Sequence, residues 1–334
     1  MQIRAKAEHG FIMLHTPKLN YLIREHVQGL EIEWAKRTFG EKQWQQRYNY
    51  PTWGVAYSWR SLGNDELLGH GHAIMVNTHF PLCSKENWQL TFSAGTGPGF
   101  ITKKFHDHEN YKNIAIGSHF NMAIKFEAAA AIKLNESNNI GAVLAFTHFS
   151  NGAYTSPNLG LNIPTLGLTY KYIFGSKKEV IKDSLPSINR YFEKTILITA
   201  GIKEIAPPGG NKFTTLTGSF TLARILNYKS RLGAGLELVH DPSAGERLER
   251  DSLNHTTLDN IRSGFYLTHE WIISDFSMIT QSGIYLYAKK NTEGSLYQRI
   301  GFRYSWNEKY FANIALKTHF ANADYIEWGL GYRF

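Results

Sequence analysis

The feature that most constrains the fold of this chain is an alternation of apolar and polar or small side chains that recurs throughout its 334 residues. It is clearest in the final segment IEWGLGYRF, residues 326–334, where each even-numbered position is apolar and each odd-numbered one is glycine or charged. Successive side chains of a β-strand point to opposite faces, so such a segment has one apolar and one polar face. Sixteen strands of this kind are predicted, at 8–15, 27–38, 52–61, 69–80, 88–97, 118–134, 139–149, 163–174, 192–205, 212–226, 230–241, 260–272, 275–288, 296–305, 310–320 and 324–334.

These strands favour an all-β fold, a transmembrane antiparallel up-and-down β-barrel. No run of 18 or more apolar residues is present, which excludes a transmembrane helix. Charged residues make up only 19% of the chain and aromatic residues 14%, as suits a barrel with apolar outer faces and aromatic belts. The chain ends in Phe334, and a terminal aromatic residue resembles the C-terminal signal of outer-membrane barrels. The expected location is the bacterial outer membrane, and a soluble double sandwich is the alternative.

The predicted connections alternate in length, as they do in outer-membrane barrels. With the N-terminus in the periplasm, this alternation places the hairpin around residue 150 at the extracellular end, although 39–50 and 175–191 are long where short turns are expected. The short connections are 82–87, 135–139, 227–230, 274–275 and 306–309, and the long ones are 98–117, 150–162 and 242–259.

The net charge of +8 is compatible with three readings: a nucleic-acid partner, an anionic lipid partner, or no particular partner. Lysine and arginine are scattered without a dense stripe, which argues against nucleic acid and leaves a phosphorylated lipid or no particular partner. The single cysteine, Cys83, has no partner for an internal disulfide. Residues 1–9 contain no apolar signal core, so we expect the export signal to have been removed or replaced.

The strongest candidate site lies in one predicted hairpin, where Ser150 is a candidate nucleophile and His148 its base. Residues two apart in a strand share a face, and the face of this pair also carries Leu144 and Phe146. A nucleophile and base on the apolar face of a barrel strand suit a lipid substrate. Ordinary turn chemistry, with His148 and Ser150 as a polar loop cap, is the alternative.

The next strand supplies further candidates. Asn162 shares its face with Leu166 and Leu168, so its side chain is expected to reach the imidazole and orient it. Asn158, in the intervening loop, is placed to donate its amide N–H to a developing oxyanion.

The motif HFSN at 148–151, followed by PNLG at 157–160, resembles the lipid A 3-O-deacylase (PagL-like) family of outer-membrane esterases. The resemblance implies an eight-stranded barrel over residues 1–175, with His148 as base, Ser150 as nucleophile and Asn158 in the oxyanion hole. The chain departs from the family at position 162, where the catalytic glutamate is replaced by Asn162. In serine proteases, the corresponding change from a carboxylate to an amide costs about 10⁴ in kcat. Three alternatives follow: the enzyme tolerates Asn162, another carboxylate serves in its place, or the activity is vestigial.

Residues 176–334 extend beyond this barrel. We expect their eight additional strands to join the first eight in one wider barrel, with an eight-stranded barrel plus a second β domain as the alternative.

The sequence therefore predicts an outer-membrane serine esterase that removes an ester-linked acyl chain from lipid A and needs no cofactor. Leu144, Phe146, Leu166 and Leu168 are expected to contact acyl chains. A channel, or a scaffold for an envelope complex, is the alternative, and a soluble carbohydrate-binding protein is a third.

The motifs HGH at 70–72 and HDH at 106–108 have the spacing of strand-borne metal ligands, but their positions at loop edges favour solvated histidines over a metal site. The basic loop 98–117 is expected either to meet lipid A phosphates or to be solvated.

Overall fold

The computed structural model describes residues 1–175, 178–289, 294–320 and 322–334. Its strands form two closed antiparallel barrels of eight strands each. The first contains β1 Gln2–Gly10, β2 Val27–Arg37, β3 Thr52–Ser61, β4 His70–Ser84, β5 Trp88–Ile101, β6 Phe120–Lys133, β7 Asn138–Ser150 and β8 Leu161–Ile173. The second contains β9 Phe192–Glu204, β10 Lys212–Asn227, β11 Ser230–His240, β12 Ile261–Ile273, β13 Phe276–Tyr287, β14 Leu296–Ser305, β15 Tyr310–His319 and β16 Asn322–Arg333.

In the described part of the chain, helical structure is confined to short connections. The helices are α1 Gln43–Arg47, α2 Ser243–Arg250 and the 3-10 turns Pro17–Leu22 and Thr257–Asn260. Among the described residues, none of these helices has the length and apolar character needed to cross a membrane.

The prediction of an all-β barrel protein with sixteen strands is confirmed, but the expected single barrel is wrong. Strand β8 pairs with β1 along the whole of β1, from Gln2 to Gly10, and β16 pairs with β9. A closed ring of strands has no free edge to which another strand can add. The eight further strands therefore close on themselves, as the alternative of an eight-stranded barrel plus a second β domain requires.

The first strand also lies elsewhere than predicted, at Gln2–Gly10 and not at 8–15. Its interior positions, Arg4, Lys6 and Glu8, are charged and buried, whereas Ala5 and Ala7 face outward. Small outward residues give little apolar contrast, so the alternation that marks the other strands is weak here.

Charged side chains fill the middle of the first barrel. Glu127 accepts hydrogen bonds of 2.6 Å from both Arg4 and Lys6, and Lys125 Nζ lies 2.6 Å from Glu31 Oε2. Pairing of this kind is what makes buried charges tolerable. Toward the end of the barrel where β7 stops, the interior is instead apolar, and Phe149, Leu161 and Ile163 belong to that core. An eight-stranded barrel is just wide enough for side chains to fill it.

The second barrel is filled in a related way. Glu237 accepts a 2.6 Å hydrogen bond from Arg299, which also lies 2.9 Å from Glu327. Its apolar cluster consists of the buried rings of Tyr266, Tyr285 and Tyr297.

The outer faces carry the large apolar side chains. Leu144, Leu166 and Leu168 are 61%, 66% and 72% exposed, and the outward residues of the second barrel, such as Trp328 and Leu330, are similar. Charges inside and apolar residues outside are the arrangement of a membrane barrel, and they oppose the soluble sandwich.

Candidate active site

The buried position of Phe149 determines the direction of the neighbouring side chains at the end of β7. This ring is fully buried in the apolar core and rests against Gly99, where an added Cβ would lie 2.9 Å from it. Because Phe149 points inward, its neighbours His148 and Ser150 must point outward. The structure thus places the predicted pair on the outer face, where His148 is half-buried and Ser150 is 5% exposed.

His148 and Asn162 form the central contact of the site. They lie directly opposite each other in the β7–β8 register, and His148 Nδ1 is 2.6 Å from Asn162 Oδ1. A proton on Nδ1 leaves the lone pair of Nε2 free to act as a base. Among the described residues, no hydrogen bond yet joins the Ser150 hydroxyl to this ring. Such bonds often tighten only when substrate is bound.

Asn158 presents an unused donor next to this pair. The backbone N–H of Asn151 donates to Asn158 Oδ1 at 3.0 Å, which identifies that atom as the oxygen and fixes the direction of the amide. The other amide atom, Nδ2, is buried and has no hydrogen-bond partner within the described part of the chain. Asn151 is itself held, since its Nδ2 donates to Ser118 Oγ at 3.0 Å.

Gly160 permits the close approach of this loop to the histidine. Its φ is +75°, a left-handed conformation that favours glycine, and a Cβ there would lie 2.9 Å from His148 Cε1. The Gly160 N–H donates to the carbonyl of Ala115, which holds the loop in place.

A second histidine, His15, joins the site although the sequence patterns did not single it out. Its Nδ1 lies 3.2 Å from Asn162 Nδ2. The segment after β1 is held there because Met13 N–H donates to the Asn162 carbonyl at 2.8 Å and Phe11 N–H to the Pro164 carbonyl. Only the closure of β1 on β8 brings His15 to Asn162, and a sixteen-stranded ring would have separated them.

The four candidate acyl contacts form an apolar surface beside the site. Leu144 pairs with Leu166 across the β7–β8 register, and both point outward with Leu168. Phe146 lies opposite Pro164 and is half-buried. This surface continues the outward face of His148 and Asn162.

The other histidine motifs have local partners. His72 Nδ1 lies 2.9 Å from the Tyr57 hydroxyl, His70 is tilted over Trp59, and His106 Nδ1 accepts from the backbone N–H groups of His108 and Glu109. No group of three potential metal-ligating side chains is found among the residues that the structure describes.

Comparisons with known proteins assign family models to most of the chain. Residues 28–171 match the family described as lipid A 3-O-deacylase (PagL), and residues 192–334 match the acyloxyacyl hydrolase C-terminal domain. No curated protein matches the sequence.

Three similar solved structures have low sequence identity to this chain. The outer membrane enzyme PagL is 16% identical, with a TM-score of 0.32, over 51% of this chain and 99% of that one. CdiB from Acinetobacter baumannii is 7% identical, with a TM-score of 0.21, over 100% of this chain and 60% of that one. An outer membrane channel from Pseudomonas putida F1 is 10% identical, with a TM-score of 0.21, over 99% of this chain and 94% of that one.

Proposed function

We propose that this chain, which belongs to the lipid A 3-O-deacylase (PagL) family in a form extended by an acyloxyacyl hydrolase C-terminal domain, cleaves an ester-linked acyl chain from lipid A through Ser150, His148 and Asn162. The protein is an outer-membrane protein built of two β-barrels. The observation that carries the proposal is the 2.6 Å contact between His148 Nδ1 and Asn162 Oδ1 on the outer face, beside Ser150. A base that is oriented next to a hydroxyl is the arrangement that activates a serine.

The proposed reaction has two steps. Ser150 Oγ attacks the ester carbonyl carbon and its proton passes to His148 Nε2. The bond from that carbon to the sugar oxygen then breaks, and His148 returns the proton to the leaving hydroxyl. Water, deprotonated in turn by His148, attacks the carbonyl carbon of the acyl-serine. The bond from that carbon to Ser150 Oγ then breaks, His148 returns the proton to Oγ, and the fatty acid is released.

The negative charge on the carbonyl oxygen needs a donor during both steps. Asn158 Nδ2 is the candidate, since it is buried, lacks a partner among the described residues and belongs to an amide whose direction is fixed. A donor held ready in this way stabilises the transition state without reorganisation.

The position of the site supports an amphiphilic substrate. Leu144, Phe146, Leu166 and Leu168 would contact the acyl chain from the membrane side, while the loops carry the polar groups. An amphiphile whose ester lies at the membrane surface, as in lipid A, fits this division. The proposed chemistry uses no cofactor.

A channel is the less favoured function, because buried side chains occupy the interiors of both barrels. Lys125 in the first barrel and Lys317 in the second are at most 1% exposed. A wide aqueous pore would leave such groups hydrated.

Mass spectrometry of lipid A, after incubation with the detergent-purified protein, tests the proposal. We expect the loss of one acyl mass with the unmodified chain and none with Ser150→Ala. Ser230→Ala is the matched control, because Ser230 is hydrogen-bonded to His269 at 2.8 Å in the second barrel and should be dispensable. Deacylation that persists in Ser150→Ala would contradict the proposal.

A further inference from the structure

We infer that His15 is a positioning residue, which sets the proton position of His148 by fixing the direction of the Asn162 amide. This inference rests on the proposed esterase function and deepens it. It accounts for how an amide serves at a position where the family that this chain resembles has a carboxylate.

An amide can orient a catalytic histidine in two ways, because one end of it accepts a hydrogen bond through oxygen and the other donates through NH₂. A carboxylate only accepts hydrogen bonds, so it always selects a histidine with a proton on the facing nitrogen. An amide can present its NH₂ group instead, and the histidine then carries its proton on the far nitrogen and is no longer a base. This wrong tautomer is the reason for the loss of about 10⁴ in kcat when the serine-protease aspartate becomes asparagine.

His15 touches the end of the amide that His148 does not touch. Asn162 Nδ2 lies 3.2 Å from His15 Nδ1, while Asn162 Oδ1 lies 2.6 Å from His148 Nδ1. A neutral His15 with its proton on Nε2 accepts from the amide NH₂ group through Nδ1. The amide oxygen must then face His148, whose proton is held on Nδ1 and whose Nε2 keeps its lone pair free to act as a base.

Backbone hydrogen bonds hold the segment that carries His15 close to Asn162. Met13 N–H donates to the carbonyl of Asn162 at 2.8 Å, so the segment that carries His15 is tied to the residue that it orients. The same segment contributes Ile12 to the apolar core, with 4% of that residue exposed. His15 thus reaches the amide from an anchored segment.

The test uses two substitutions of similar size. His15→Asn keeps an acceptor where Nδ1 stands, and His15→Leu removes it. We expect His15→Leu to lower kcat about tenfold, as for the loss of one hydrogen bond that orients a catalytic group, with KM little changed. His15→Asn should keep most of the activity. His269→Leu, at an exposed position of β12 in the second barrel, is the control and should match the unmodified chain.

The Asn162→Glu background separates a role through the amide from a general structural role. A carboxylate at this position needs no orientation, so His15→Leu should have no further effect on kcat there. If His15→Leu lowers kcat equally in both backgrounds, or if His15→Asn is as impaired as His15→Leu, the inference is wrong. Activity that depends on Ser150 but is unaffected by His15→Leu would overturn the inference alone, and the proposed function would stand.

A spectroscopic measurement keeps the inference testable without turnover. Nitrogen-15 NMR of histidine-labelled Ser150→Ala protein, with His148 assigned through its own substitution, reports which ring nitrogen carries the proton. We expect the proton on Nδ1, and its partial transfer to Nε2 when His15→Leu is added. An unchanged tautomer would overturn the inference.

Discussion

The two barrels of this chain share a framework but use a histidine near the end of their seventh strand in opposite ways. In the first barrel, His148 of β7 points outward and contacts Asn162. In the second, His319 at the end of β15 is 3% exposed and points into the interior. There it contacts the Tyr285 hydroxyl at 3.1 Å and lies 3.8 Å from Asp324. A shift of one residue along a strand moves a side chain from one face to the other.

This difference shows that residue type alone does not make a reactive site in a barrel. His319 has both a hydroxyl and a carboxylate nearby, which resembles a catalytic arrangement, but the wall of the barrel separates it from lipid. His148 has a weaker partner in Asn162 and lies on the face that a lipid ester reaches. Access therefore distinguishes the two histidines more clearly than their hydrogen-bond partners do.

Replacing His148 and His319 by alanine, one at a time, should give the largest difference in deacylation rate between the two barrels. His148→Ala should lower kcat/KM for lipid A deacylation on the order of 10⁴-fold or more, because it removes the general base. His319→Ala should leave turnover unchanged and lower the free energy of unfolding by about 1–3 kcal/mol, since it leaves buried polar groups of Tyr285 and Asp324 without this partner. Rates from folded protein and urea unfolding curves measure the two effects.

The comparison fails if His319→Ala abolishes deacylation in protein that remains folded. Folding is checked independently by far-ultraviolet circular dichroism and by heat-dependent migration on gels. Loss of activity together with retained β-structure would show that the second barrel takes part in the reaction.

A second contrast involves two asparagines, each of which has a buried amide nitrogen without a partner among the described residues. Asn158 Nδ2 lies in the loop beside Ser150, and Asn313 Nδ2 lies inside the second barrel. Asn158→Ala should lower kcat about 10²–10³-fold, as for the loss of one oxyanion donor. Asn158→Asp keeps the acceptor for Asn151 N–H but removes the donor, so it should be at least as impaired.

Asn313 supplies the control for this measurement. Its Oδ1 accepts from Arg303 Nε at 3.1 Å, a contact that Asn313→Asp preserves. We expect Asn313→Asp to deacylate lipid A at the rate of the unmodified chain. An Asn158→Asp variant that retains full activity would remove Asn158 from the mechanism.

Local patterns predicted most strands and the faces of the candidate site, because strand periodicity is a property of neighbouring residues. Parity along β7 and β8 is enough to place His148, Ser150 and Asn162 on the outer face. Closure is different, since the same strands satisfy the alternation in one ring or in two. The single-barrel expectation therefore failed, and with it the chance to predict that His15, on the segment after β1, meets β8.

The smallest contrast compares two glycines that differ in what surrounds them. Gly160 and Gly209 have φ of +75° and +80°, so an alanine is strained at either position, by about 1 kcal/mol or somewhat more. A Cβ at 160 would lie 2.9 Å from His148 Cε1, whereas nothing lies within 4 Å of one at 209. Gly160→Ala should therefore also displace the imidazole and lower kcat by up to about 10²-fold, because small misplacements of catalytic groups have effects of this size. Gly209→Ala should lose stability only. Equal kcat values for the two variants, measured on folded protein, would mean that the ring of His148 moves aside without consequence and that its position against the loop is not part of the catalytic geometry.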